Sequence, residues 1–252
     1  MWSDLNRWTN VLFEPHVGAE YARDGESITD VRRRLGAEYF DFREDLLEQR
    51  RRNPGDDMVS ALVMATIDDQ PLTQQQLHGY LNLLIGAGNE TTRNAITGGV
   101  RAFAEDLDAR RTFSAQPGEL IETTVEEILR WTSPVIQFAR TATSDFELSG
   151  VTIRAGDTVV VWYPAANRDP AAFHEPERFD VARDPNFHLA FGHGHHFCLG
   201  ANLARWEMRA VFRELAPWLD AIEIAGPADV AHHLHVYSTR SQPVRLRGAA
   251  VA

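Results

Sequence analysis

The chain contains a single cysteine, and its surroundings restrict what that residue can be. Cys198 lies in Phe191-Gly192-His193-Gly194-His195-His196-Phe197-Cys198-Leu199-Gly200, directly ahead of a stretch with helical periodicity. A lone cysteine excludes an internal disulfide and leaves an inert buried thiol, a nucleophile or a metal ligand. A thiolate needs its charge stabilised, and the start of a helix does this with unpaired N–H groups and the positive end of its dipole. A merely buried thiol does not account for Gly194 and Gly200, which permit positive φ and close backbone approach. Phe191 and Phe197 would keep water from the sulfur. Zinc is the competing reading, from His193, His195, His196 and Cys198. Three histidines within four residues, however, rarely converge on one tetrahedral ion.

The rest of the chain reads as mainly α with a minor β part. Helical spacing covers Trp2 to Phe13 and Ile28 to Arg52, the second stopped by Asn53-Pro54-Gly55. A short helix follows from Asp57 to about Thr66, then a turn at Asp68-Asp69-Gln70-Pro71. Thr73-Gln74-Gln75-Gln76 is a capping box that opens a long helix over about 73–107. A further helix covers about 119–131, ended by Pro134. Gln137 to Tyr163 is rich in Val, Thr, Ile and Phe, with turns at Ser149-Gly150 and Ala155-Gly156, so it reads as short antiparallel strands. Pro164 to Cys198 is irregular. A last helix runs from Gly200 to about Leu215, and short strands close the chain near Val244.

A net charge of −11 argues against nucleic acid, whose binders need a basic face to displace counterions. No apolar run approaches the ~20 residues that cross a bilayer, and Met1 to Asn10 lacks a signal peptide's apolar stretch. The expectation is a cytoplasmic protein with no membrane span.

Inside the long helix lies Gly86-Ala87-Gly88-Asn89-Glu90-Thr91-Thr92. Each mid-helix glycine costs ~1 kcal/mol against alanine, so two within a turn point to close approach by another group. Thr91 can bond back to the preceding turn and open a groove, with Glu90 beside it as a proton source.

Taken together, these segments resemble the cytochrome P-450 family of haem-thiolate monooxygenases, of the soluble bacterial type. The cysteine loop 191–200 matches the haem-binding signature at Phe191, Gly194, Cys198 and Gly200. The helical segment is similar to the family's distal oxygen-binding motif, Ala/Gly-Gly-x-Asp/Glu-Thr. The resemblance covers nearly the whole chain but begins in what is the middle of the family sequence. It therefore implies one partial domain over 1–252, a cytochrome P-450 fold lacking its amino-terminal helices, with an upstream segment missing.

The resemblance also implies roles. Cys198 would hold the iron of heme b (iron protoporphyrin IX), with His196 and Arg140 on its propionates. Ala87 and Gly88 would lie over the haem face, and Thr91 and Glu90 would deliver protons. Glu127 and Arg130, three apart on one helix, would be joined by Arg178 of Pro176-Glu177-Arg178-Phe179 in a buried triad. Arg205, a turn or so beyond Cys198, is the candidate contact for a ferredoxin-type electron donor. The implied reaction hydroxylates a small apolar molecule (a sterol, terpenoid or fatty acyl chain) with dioxygen and two electrons. Leu84, Ala87, Val135, Ile136, Phe138, Val236 and Tyr237 are the pocket candidates. The alternative is a non-catalytic remnant that binds haem poorly or serves as an interaction domain.

Overall fold

A computed structural model describes residues 2–13, 18–231 and 235–248. The chain forms two compact units that meet in sequence at Asn89 and Glu90, within one continuous helix.

The first unit contains α1 (Trp2–Phe13), α2 (Ile28–Arg52), α3 (Met58–Met64) and the opening half of α4 (Gln74–Glu105). Each start has a sequence cause. Ser27 caps α2 by accepting from the Asp30 amide, and Asp57 caps α3 by accepting from the Ser60 amide. At α4 the capping box forms in both directions. Thr73 N–H donates to Gln76 Oε1 at 2.9 Å, and Gln76 N–H donates to Thr73 Oγ1 at 3.3 Å. Between α3 and α4, β1 (Thr66–Ile67) pairs with β2 (Gln70–Pro71) across Asp68 and Asp69. Both aspartates take positive φ, the backbone of a tight two-residue hairpin. Trp8, Val11, Val31, Leu35 and Tyr39 form one apolar cluster and Leu47, Leu77 and Leu81 a second.

The second unit holds the remainder of α4, then α5 (Leu107–Ala115), α6 (Pro117–Thr132) and α8 (Ala201–Leu215) around one core. Phe103, Phe113, Val125, Ile128, Met208, Phe212 and Leu219 are its centre. Gly99 makes this packing possible. A Cβ there would lie 2.6 Å from Phe212 Cζ and 2.9 Å from Ile128 Cγ2, so α4 can approach α6 and α8 only without a side chain.

Short strands complete this unit. They are β3 (Gln137–Thr141) with β6 (Thr158–Trp162), β4 (Phe146–Leu148) with β5 (Val151–Ile153), β7 (Ile222–Ile224) with β10 (Val244–Leu246), and β8 (Asp229–Ala231) with β9 (Ser238–Ser241). All four pairs are antiparallel and two-stranded. α6 ends one residue before the expected proline acts, because the buried Ser133 turns left-handed at φ 39°. Between the short α7 (Tyr163–Ala166) and α8 runs a long segment with only a 3-10 turn at Gly194–His196.

Candidate functional site

That irregular segment needs an internal frame, and α6 supplies it. Glu127 and Arg130 have fully buried side chains and pair through both carboxylate oxygens, at 2.7 and 2.8 Å. Arg130 then donates to three backbone carbonyls of the segment: Asn167, Pro176 and Arg178. Glu127 also accepts from the Asp180 amide, Arg183 Nε and Asn186 Nδ2.

The third arginine is thus Arg183, not Arg178. The Arg178 backbone turns its guanidinium outward to an exposed pair with Glu175, while the Arg183 side chain is buried beside Glu127. Arg178 contributes only its carbonyl. Arg178 and Arg183 flank the same bend, so the triad arginine lies five residues beyond the position expected from the sequence.

From this frame the chain reaches the cysteine loop. Gly192 and Gly194 both take positive φ (71° and 68°), which side chains resist. The Cys198 amide donates to the Phe191 carbonyl at 2.9 Å, and Phe197 N–H donates to Gly194 O at 3.0 Å. Cys198 is exposed, just ahead of α8, whose N-cap is Gly200. A Cβ built on Gly200 would stand 4.0 Å from the Cys198 sulfur, so the thiol lies back over the helix start, where orphan N–H groups favour an anion. Among the described residues no group of three or more His, Cys, Asp or Glu side chains converges on a common point, so the zinc reading loses its support.

The other sequence candidates fall on the following positions. His196 is exposed in the 3-10 turn. Arg140 is exposed on β3, opposite Val159, with its guanidinium 5.9 Å from the Phe138 ring; among the described residues no carboxylate pairs with it. Val135 bridges to Val236, and Ile136 N–H donates to His235 O, so these pocket candidates are brought together. α4 is assigned α-helix throughout Gln74–Glu105, Gly86 and Gly88 included. Ala87 and Gly88 are exposed, and a Cβ added to Gly88 meets nothing within 4 Å. Glu90 is buried and pairs with Arg93.

Arg205 is not a free cation. Its guanidinium forks onto Glu126, at 2.6 and 2.8 Å, and only a fifth of the side chain is exposed. A redox partner would meet a charge already neutralised. No local sequence signal marks Glu126, which stands beside the more legible Glu127.

This donor set fits a flat, dianionic cofactor held by one thiolate. The chain offers one exposed sulfur, an exposed arginine with no carboxylate partner among the described residues, an exposed histidine, and exposed apolar side chains at Phe197 and Leu199. Gly88, meanwhile, has no packing reason to be glycine.

The comparisons with known proteins agree. The family model described as Cytochrome P450 matches residues 118–215, which span the Glu127–Arg130 frame and the cysteine loop. A methyl-branched lipid omega-hydroxylase of Mycobacterium tuberculosis is 42% identical over 239 residues, covering 94% of this chain and 54% of that protein. Linalool 8-monooxygenase of Pseudomonas putida is 37% identical over 223 residues, 88% of this chain and 53% of that protein. Among solved structures, a Mycobacterium marinum cytochrome P450 in complex with pseudoionone superposes with a TM-score of 0.87 at 38% identity, covering 97% of this chain and 58% of the other. The chain belongs to the cytochrome P450 family. It is similar throughout to bacterial members of that family and spans about half the length of the curated relatives it matches.

Proposed function

We propose that this chain is the cysteine-bearing part of a single cytochrome P450 domain, and that the whole protein is a monooxygenase of small apolar molecules. The observation that carries the reading is Cys198: an exposed sulfur held by a backbone hydrogen bond at a helix start, with no competing metal ligands gathered around it among the described residues. Haem b, when bound, would supply oxygen-activating chemistry, for which dioxygen, two electrons and two protons give a hydroxylated C–H bond and one water.

The chain's own residues prepare for that cofactor. Cys198 would give the thiolate ligand, whose electron donation distinguishes it from histidine. Arg140 and His196 would take the propionates, Arg140 bringing a guanidinium that no protein carboxylate occupies among the described residues. Phe191 and Phe197, 6.2 Å apart in an edge-on contact, would shield the sulfur. Ala87 and Gly88 would leave room over the haem face. Glu90 and Thr91 would serve proton delivery, Thr91 through its Oγ1. A ferredoxin-type donor would supply electrons.

The substrate class rests on the apolar pocket candidates and on relatives named for a methyl-branched lipid, linalool and a steroid. Val135, Ile136, Phe138 and Val236 would present methyl and ring carbons to such a molecule. Hydroxylation of a methyl-branched fatty acid or of linalool by the reconstituted protein, with isotope-labelled dioxygen traced into the product by mass spectrometry, tests the proposal. A ferrous carbonyl spectrum without thiolate character would favour the non-catalytic alternative.

A further inference from the structure

Glu126 stands beside Glu127 on α6 but serves different partners, because consecutive helix residues point about 100° apart. Its Oε2 lies 3.1 Å from His188 Nε2, and its two oxygens take the Arg205 fork. The His188 side chain is almost wholly buried, and its Nδ1 accepts from the Ala190 amide at 3.2 Å. A backbone N–H can only donate, so in the neutral ring the proton sits on Nε2 and is given to Glu126. On the other side, the Arg205 guanidinium lies 4.6 Å from the centre of the Phe191 ring. Phe191 is the residue whose carbonyl receives the Cys198 amide.

We propose that Glu126 is a positioning residue for Cys198, tying the chain that enters the cysteine loop at His188 to the helix that leaves it at Arg205. The inference rests on the reading of Cys198 as the axial ligand. One carboxylate spans the two ends of the loop, and the Phe191 ring, 6.0 Å from His188 and stacked under Arg205, fills the space between them. A fork-shaped guanidinium holds both carboxylate oxygens in one plane, which leaves the third bond, to His188, a fixed direction. Movement of either loop end therefore has to break a charge-assisted hydrogen bond.

A built-in control lies one turn earlier. Glu122 pairs with Arg209, joining the same two helices without touching the loop. If the role of Glu126 were only to hold α6 against α8, the two pairs would be equivalent.

The test uses the full-length, haem-loaded protein that contains this chain, and reads the fraction of its ferrous carbonyl complex that lacks thiolate ligation. Glu126→Gln is expected to raise that fraction about tenfold, because it removes the charge behind all three hydrogen bonds at once. His188→Gln, which cuts one arm and leaves the Arg205 fork, should raise it by a smaller factor. Glu122→Gln should leave it at the wild-type level. Wild-type spectra for both Glu126→Gln and His188→Gln, or an equal change in Glu122→Gln, would overturn the proposal. Should Glu126→Gln fail to fold, His188→Gln and Arg205→Lys decide by the same readout. A wild-type protein with no thiolate-type spectrum would sink the axial-ligand reading itself, a result distinct from any failure among the variants.

Discussion

The amide of Cys198 is bound to the carbonyl of Phe191 at 2.9 Å, so the residue that opens the cysteine loop also closes it. The bond turns the eight residues from Phe191 to Cys198 into a ring-like loop with the sulfur at its exit. Two positive-φ glycines, Gly192 and Gly194, allow the tight turn inside it. The thiol is thereby presented at a fixed place without being buried by the protein, as a ligand sulfur has to be.

Cys198→Ser should keep this loop, because serine has nearly the same size and the closing bond is made by backbone. It should abolish the thiolate-type ferrous carbonyl band, since an alcohol is not a charged soft ligand. Retention of the band at full intensity would remove Cys198 from the iron.

Thr91→Ala should leave haem content unchanged and raise the ratio of hydrogen peroxide to hydroxylated product. The hydroxyl is the group proposed to pass protons from Glu90, and without it reducing equivalents leave as peroxide. An unchanged ratio in the reconstituted full-length protein would take Thr91 out of the mechanism.

Gly88 and Gly99 lie on the same helix and should respond oppositely to alanine. A methyl on Gly99 meets Phe212 and Ile128 at under 3 Å, so overpacking should cost about 1–3 kcal/mol. A methyl on Gly88 meets nothing within 4 Å, and better helix propensity should stabilise the apoprotein by up to ~1 kcal/mol. If Gly88 makes room for a cofactor, Gly88→Ala should nonetheless lower haem occupancy. Thermal unfolding of the apoprotein and haem titration separate the two effects.

Much of this architecture was legible in the sequence, because its signals are local. The α2 limits follow from the helical spacing of Ile28 to Arg52 and from Asn53-Pro54-Gly55, and the Thr73–Gln76 capping box names the start of α4. Gly194, Cys198 and Gly200 announce their loop through its resemblance to the family's haem-binding signature. What stayed hidden depends on contacts far apart in the chain. Nothing local distinguishes Arg178 from Arg183; only the folded bend buries one and exposes the other. Likewise Arg205 reads as a surface cation until Glu126, 79 residues earlier, is found within its reach.

Glu126 gives the protein a specific acid sensitivity. Burial alone would raise its pKa, but hydrogen bonds from Arg205 and His188 outweigh that and hold it at about 2, against an ordinary 4.5. A depressed folded-state pKa contributes stability that is present above the unfolded value and is lost as pH falls through the folded one. The contribution should therefore be whole above pH 4.5 and disappear towards pH 2. Glu126→Gln should lower Tm at neutral pH, and the gap to wild type should narrow across that window. Glu26, also held at about 2 by its pair with Arg34, titrates alike in both proteins and cancels in the comparison. A gap that stays constant from neutral pH down to 2 would show that the charge of Glu126 is not what stabilises the fold.

The frame under the cysteine loop yields a sharper test, because two nearby arginines predict different outcomes. Arg130→Ala or Glu127→Ala leaves a fully buried charge without its partner, which typically costs about 3–5 kcal/mol. Arg183 donates to the same carboxylate and to the carbonyls of His174, Glu175 and Arg178, so Arg183→Ala should cost a large part of that and loosen the segment entering the loop. Arg178→Ala removes only an exposed pair with Glu175, worth about 0–1 kcal/mol, and leaves the carbonyl that Arg130 uses. Denaturant unfolding of the four variants should therefore rank Glu127 and Arg130 first, Arg183 next and Arg178 near wild type. Haem retention should follow the same order, since the frame carries the chain from α6 to Cys198. Were Arg178→Ala to prove as damaging as Arg183→Ala, Arg178 would belong in the frame after all.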